Sequence, residues 1–183
     1  MEQAEAILAA LERDGFAAYI VGGAVRDWLL GVEPEDIDIC TSAAPADIMA
    51  VADRQGWKTV TTGAAFGCVT VLINGQAYEV TTFRRDTYEG DGHRPRAVAF
   101  TVSLREDLAR RDFTINAMAR DLAGRIIDEF GGRADLARRL IRTVGDPQQR
   151  FAEDGLRMFR TARFAAKLGF SPAADIFPAI RAN

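Results

Sequence analysis

The segment Glu35-Asp36-Ile37-Asp38-Ile39 alternates acidic and aliphatic residues. Side chains of a β-strand alternate between its faces, so Asp36 and Asp38 would share one face and Ile37 and Ile39 the other. Two carboxylates placed together repel, and a cation between them relieves that repulsion. Oxygen donors of this kind suit Mg²⁺, which also takes phosphate oxygens from a substrate. Two such ions, roughly 4 Å apart, clamp the attacking and leaving oxygens of a phosphoryl displacement. An Asp-x-Asp pair on the solvated face of an edge strand has the same sequence, so the pair alone leaves both readings open. Glu79 adds to it. It lies in the strand-like run Tyr78-Glu79-Val80-Thr81-Thr82-Phe83-Arg84, facing away from Tyr78 and Val80. A third acid there would complete the metal site or polarise an attacking hydroxyl; a salt bridge to a nearby arginine is the plainer alternative.

Three further clusters could bind a nucleotide. Gly22-Gly23-Ala24-Val25-Arg26-Asp27 follows a short apolar run and opens a helix. Glycines let the backbone approach a phosphate, helix N–H groups point at it, and Arg26 adds a charge-assisted donor. No Gly-Lys-Ser/Thr follows, so this is not a Walker loop, and a simple strand-to-helix turn would look the same. Arg111 and Asp112, in Arg110-Arg111-Asp112-Phe113, could hold phosphate and sugar, or merely cap the preceding helix. In the helix expected around Glu153-Asp154-Gly155-Leu156-Arg157, Asp154 and Arg157 are three apart and would be surface neighbours. Such a pair can be a modest ion pair, or it can read a base. A carboxylate accepts from the exocyclic amine of C or A, and a guanidinium donates to the adjacent ring nitrogen. U and G present the opposite polarity there and would leave buried groups unpaired. Phe151, Met158, Phe159, Ala162 and Ala166 form the expected apolar stripe of this helix.

These residues need elements to position them. The periodicity predicts a helix over 2–13, a strand over 17–21, a short helix over 24–30 and a strand over 36–41. Pro45 starts a helix reaching about Arg54. Strands follow at 57–60, 67–73 and 77–84, with Asn74-Gly75 as a hairpin turn between the last two. Residues 85–96, RDTYEGDGHRPR, read as a mobile polar loop that includes the lone His93. Ser103 and Glu106 form a capping box for a helix to about Arg110. Strands are expected at 113–120 and 125–127, and helices from Gly131-Gly132 onward. The fold class is therefore α/β (α+β). A mixed-sheet head covers 1–131 and the start of a helical region 132–183. The last residues, Phe177 to Asn183, close no second core, which suggests a piece of a longer protein.

Bulk composition narrows the class. With 183 residues, 48% of them hydrophobic, the chain is globular and not disordered. No apolar run approaches a membrane span, and the acidic, amphipathic N-terminus is neither a signal nor a transit peptide. Cys40 and Cys68 are isolated in apolar stretches and read as reduced core residues of a cytosolic protein. The net charge is −3, but Gly131–Lys167 carries nine basic and four acidic residues, hence +5, leaving −8 for the rest. A polyanion would meet the C-terminal part, although a solvated helix face would have the same charge.

Taken in order, IVGGAVRDWLLG, EDIDICT, YEVTTFRRDTYEGDGHRP, LARRDFTINAMA and FAEDGLRMFRTARFAAKLGF resemble the class II CCA-adding tRNA nucleotidyltransferases of the polymerase-β-like superfamily. The resemblance runs from about Tyr19 to Phe170. Bacterial poly(A) polymerases share most of these motifs, and TTGAAFGCVTVLINGQ looks closer to the tRNA-specific branch. Phe66-Gly67-Cys68 stands where that family often has His-Gly-Thr. The resemblance implies a nucleotidyltransferase head followed by a helical neck, and Mg²⁺, as two ions, on Asp36 and Asp38 with Glu79 as third carboxylate. It further implies that Gly22, Gly23, Arg26, Arg111 and Asp112 hold the phosphates and sugar of CTP or ATP. Asp154 and Arg157 would read the base, supported by Arg160 and Arg163. The tRNA 3′ end would be the acceptor, in the cytoplasm, and residues 85–96 would help switch from C to A.

Overall fold

A computed structural model describes residues 1–87 and 97–183. Helix α1 spans Glu2–Arg13, with Glu2 and Glu5 in its first turn and Arg13 in its last, as the helix dipole favours. Ala4, Ile7, Leu8 and Leu11 recur at three- and four-residue spacing and bury one face. Strand β1 (Ala18–Val21) leads into α2 (Gly23–Leu29), then β2 (Asp38–Thr41) and α3 (Pro45–Arg54), whose proline occupies the first turn. Strands β3 (Lys58–Val60), β4 (Cys68–Ile73) and β5 (Gln76–Thr82) follow. Between β4 and β5, Asn74 (φ 50°) and Gly75 (φ 82°) make the left-handed two-residue turn that their types favour.

Among the described residues these strands, with β8 (Ala119–Arg120) and β9 (Ile126–Ile127), form a sheet of order β3-β4-β5-β2-β1-β8-β9. Only β2 and β5 pair in parallel, so the sheet is mixed, as expected. Register sorts the two faces. Ile20 pairs with Ile39, Ile39 with Val80 and Val80 with Val69. That apolar face packs with Ile7, Leu8 and Leu11 of α1 and Ile48 and Val51 of α3 in the main core. The opposite face carries Val21, Cys40 and Ala119, closed by Leu108, Phe83 and Val144 in a smaller core. Asp38 and Glu79 lie on this second face.

Strands β6 (Arg84–Thr87) and β7 (Ala97–Phe100) form a separate two-stranded ribbon. Arg85, Asp86 and Thr87, expected in a loop, are therefore strand; the rest of that loop lies outside the described residues. Helix α4 (Leu104–Ala109) starts at Ser103, whose Oγ accepts the Glu106 N–H. The expected strand 113–120 is instead a 3₁₀ turn, Thr114–Asn116, ahead of the short β8. Phe113, Ile115, Ala117 and Met118 are fully buried, and so nearly are Thr114 and Asn116. The apolar–polar alternation therefore marks no buried and solvated strand faces, and the polar residues bond inward to Asp135 and Arg26.

Helix α5 (Gly132–Ala137) packs against that turn; a Cβ on Gly132 would stand 2.3 Å from the Thr114 carbonyl oxygen. Beyond it lie β10 (Leu140–Ile141), α6 (Pro147–Glu153), α7 (Leu156–Leu168), β11 (Ser171–Pro172) and α8 (Ile176–Ala182). The C-terminal region is thus not purely helical, since β10 and β11 pair in parallel. Nor is the segment around residue 154 one helix. Asp154 is extended (φ −154°, ψ 103°) between α6 and α7, and Gly155 stands at the start of α7, not in mid-helix. The buried side of α7 is Arg157, Thr161 and Phe164, whereas Phe159, Ala162 and Ala166 of the expected stripe face outward.

Candidate active site

One cleft of about 840 Å³ lies between α2, the loop before β2, the end of α4 and α7. That volume is ordinary for a small-molecule site. Eleven sequence-predicted residues line it: Gly22, Gly23, Arg26, Asp36, Asp38, Arg111, Asp112, Asp154, Arg157, Arg160 and Arg163. Glu79 is the exception. It lines an adjoining cavity of about 270 Å³ that also touches Asp38, Arg110 and Arg111.

One wall is acidic. Strand β2 starts at Asp38, and Asp36 precedes it outside any strand. The two carboxylates meet because both line the cleft, not because one strand holds both. The pairing of Ile39 with Val80 sets Asp38 level with Glu79 on the same sheet face. Burial pushes the Asp38 carboxyl above its usual range, Arg111 pulls it down, and Glu79 and Asp36 push it up again. Asp36 and Glu79 thus act on Asp38 from either side at the start of β2, opposed by Arg111. Among the described residues, no three Asp, Glu, His or Cys side chains are close enough to hold an ion unaided. Mg²⁺ typically takes only one or two protein carboxylates and completes its shell with water and phosphate. The oxygen-only donor set at Asp36 and Asp38 fits that habit.

The other wall is basic and braced. Gly22 adopts φ 75°, ψ −132°, open only to glycine, and a Cβ there would stand 3.2 Å from Arg111 Nη1 and 3.8 Å from Asp38 Oδ2. Asp107, fully buried and absent from the sequence reading, orients both neighbouring arginines. Its Oδ1 accepts from Arg110 Nε at 2.9 Å and its Oδ2 from Arg111 Nη2 at 3.2 Å. The spacing of three and four residues from Asp107 to Arg110 and Arg111 was the available signal.

Arg26, only 4% exposed, donates through Nε to Asp27 at 2.8 Å and through Nη1 to Asn116 at 2.7 Å. Asn116 Nδ2 donates to Asp112 Oδ1 at 3.2 Å, and Asp112 Oδ2 accepts from Arg160 at 2.7 Å (Nε) and 2.6 Å (Nη2). Asp112 thus links α2 to α7 through one polar chain. The guanidinium carbons of Arg26, Arg160 and Arg163 lie 5.3, 5.4 and 4.9 Å from the ring centre of Phe164. Asn116 and Phe164 also went unread; an amide and an aromatic in apolar runs carry no signal of their own. Asp154 Oδ1 accepts from the Leu156 N–H at 2.9 Å, which fixes the break between α6 and α7. The Arg157 guanidinium donates to Glu153 Oε2 at 2.8 Å, to the Arg150 carbonyl at 3.2 Å and to the Arg110 carbonyl at 3.1 Å. The helix break, not an i,i+3 repeat, brings Asp154 and Arg157 to the same cleft.

Residues 18–142 match the family described as the poly A polymerase head domain. The chain belongs to that family. It is 53% identical to the CCA-adding enzyme of Geobacillus thermodenitrificans over 182 residues, all of this chain and 44% of the relative. It is 51% identical to that of Geobacillus stearothermophilus over the same shares. The solved CCA-adding enzyme of Bacillus stearothermophilus in complex with CTP superposes with a TM-score of 0.90 at 49% identity, over 100% of this chain and 43% of that one. A tRNA nucleotidyltransferase complexed with a primer tRNA and an incoming ATP analog gives 0.78 at 36% identity, over 96% and 49%. The chain therefore spans less than half the length of these relatives. None of its described helices is long and apolar enough to cross a membrane.

Proposed function

We propose that this poly A polymerase head domain and its following helices add C and A, from CTP and ATP, to the 3′ end of tRNA in the cytoplasm. Residues 1–131 act as the nucleotidyltransferase head and 132–183 as the start of the neck. The observation that carries this reading is the single cleft with Asp36 and Asp38 on one wall and Arg26, Arg111, Arg157, Arg160 and Arg163 on the other. The similar CCA-adding enzymes, one solved with CTP, support it.

In this reading the basic wall holds the triphosphate, with Gly22 and Gly23 allowing close backbone approach and Arg26 and Arg111 donating to its oxygens. The 3′ hydroxyl of the RNA attacks the α-phosphate, the bond to the β-phosphate breaks, and pyrophosphate leaves. Glu79, beside Asp38, polarises the hydroxyl and accepts its proton. Asp36 and Asp38 would hold Mg²⁺, as two ions, which would offset the negative charge of the triphosphate and the transition state. Asp154 and Arg157 read the base, with Arg160 and Arg163 in support, so no template is needed. The test replaces Asp36 or Asp38 by alanine and follows addition to tRNA ending before CCA. Each variant should lose about a hundred- to a thousand-fold in rate, the scale of removing one preorganised electrostatic group. Full activity of either variant would refute the assignment.

The family description favours a second reading, poly(A) synthesis. Product length on an RNA primer decides it: addition stopping at CCA against an extended A tail.

A further inference from the structure

We infer that Phe66 and Phe100 form a stacking platform for the unpaired 3′ end of the RNA acceptor. The inference rests on the nucleotidyltransferase reading above and adds the acceptor's side of the same centre. Two spaces meet at Asp38: the arginine-walled cleft, and the smaller cavity lined by Glu79, Cys68, Thr81 and Arg84. A displacement reaction brings its two substrates to one point from different directions. If the triphosphate fills the cleft, the cavity is left for the attacking strand.

Two exposed phenylalanines neighbour the wall of that cavity. Arg84, in its wall, donates through Nη1 to the Phe66 carbonyl at 2.5 Å and pairs across the ribbon with Phe100. Phe66 also precedes Gly67 and the wall residue Cys68 in the chain. The Phe100 ring lies over Gly67, so closely that a Cβ there would stand 2.8 Å from Cε1. Yet Phe66 is 54% and Phe100 49% exposed, and Val102, two residues on, is 83% exposed. These rings give little to either core. Clustered exposed apolar groups mark binding surfaces. Exposed aromatics beside cationic side chains are how proteins hold single-stranded nucleic acid, since every base has a face to stack. Arg84 and Arg110, held by Asp86 and Asp107, line the same cavity and place guanidinium groups where a phosphate backbone would pass.

The test measures binding of a 5′-fluorescein RNA oligomer ending in CC by anisotropy, to the chain as it stands. Phe66→Ala and Phe100→Ala should each weaken binding at least about five-fold, and Phe66→Trp and Phe100→Tyr should restore it. CTP affinity, by calorimetry, should stay within two-fold of wild type (roughly the scatter of such contacts) and shows that the fold is intact. Unchanged RNA affinity in both alanine variants, or no RNA binding by the wild type, overturns the platform. A change in oligomeric state with RNA affinity unchanged overturns it too, in favour of a protein contact. Loss of nucleotide addition in Asp38→Ala with this result intact, or the reverse, separates the platform from the catalytic reading.

Discussion

Replacing Asp112 by asparagine removes one acceptor from a fully committed carboxylate. Oδ1 accepts from the Phe113 N–H at 2.7 Å and from Asn116 Nδ2 at 3.2 Å; Oδ2 accepts from Arg160 at 2.6 and 2.7 Å. An asparagine has one oxygen and one NH₂. Either rotamer therefore turns donors onto donors, at the backbone or at Arg160. Hydrogen bonds to a charged group contribute about 1.5–3 kcal/mol. The Arg160 side chain is 43% exposed and can turn to water, so we take about 2 kcal/mol as the net loss. For a chain of this size that lowers Tm by roughly 4–8 °C. The same change unties Asn116, and through it Arg26, so KM for CTP should rise by about ten-fold with a smaller change in kcat. The assay is thermal unfolding followed by steady-state addition with CTP varied. A Tm within about 1 °C of wild type, or an unchanged KM, would refute the polar chain from α7 to α2.

Gly22→Ala should cost about 1–3 kcal/mol in backbone strain and press its methyl onto Arg111 and Asp38, lowering nucleotide addition well beyond the loss of folded protein. Activity and circular dichroism measured together check this. Cys40 is fully buried with its thiol pushed strongly up by burial, whereas Cys68 is half-buried at the cavity; iodoacetamide on the native protein should label Cys68 alone, as read by mass spectrometry. Burial opposes ionisation of Asp121, but the Arg125 N–H and Nε, at 2.8 and 2.7 Å, outweigh it and hold the carboxyl below its usual range. A lowered native pKa stabilises above the unfolded-state value of about 3.9, and the gain disappears as pH falls through the native one. Asp121→Asn should therefore be less stable than wild type at pH 7 and approach it at low pH in urea titrations.

Where the sequence carries strong local chemistry, the fold was legible. Pro45 and Asn74-Gly75 announced α3 and the β4–β5 turn, and the acids and spacing of Glu2–Arg13 announced α1. The candidate residues also come together in space, since the cleft gathers eleven of them. Their geometry was not legible. Asp36 lies outside its strand because β1, which pairs Val21 with Asp38, ends there and turns at Gly22 into α2. The break at Asp154 was hidden because Glu153 to Phe164 has good helix formers on both sides of it. The buried side of α7 was misread because Arg157 and Thr161 go inward to polar partners while Phe159 stays out. Asp107 escaped notice because its spacing to Arg110 and Arg111 suits a surface ion pair equally well, and nothing among the three acids of REDLARRD marks it as the fully buried one.

The central claim is that the protein, through Asp154 and Arg157, chooses the base added by the Asp36–Asp38 centre. Supplying tRNA that ends before CCA with Mg²⁺ and one labelled nucleoside triphosphate at a time tests it most directly. The account predicts incorporation of C, and of A once CC is present, with U and G left out. Incorporation of UTP or GTP as readily as CTP would contradict it.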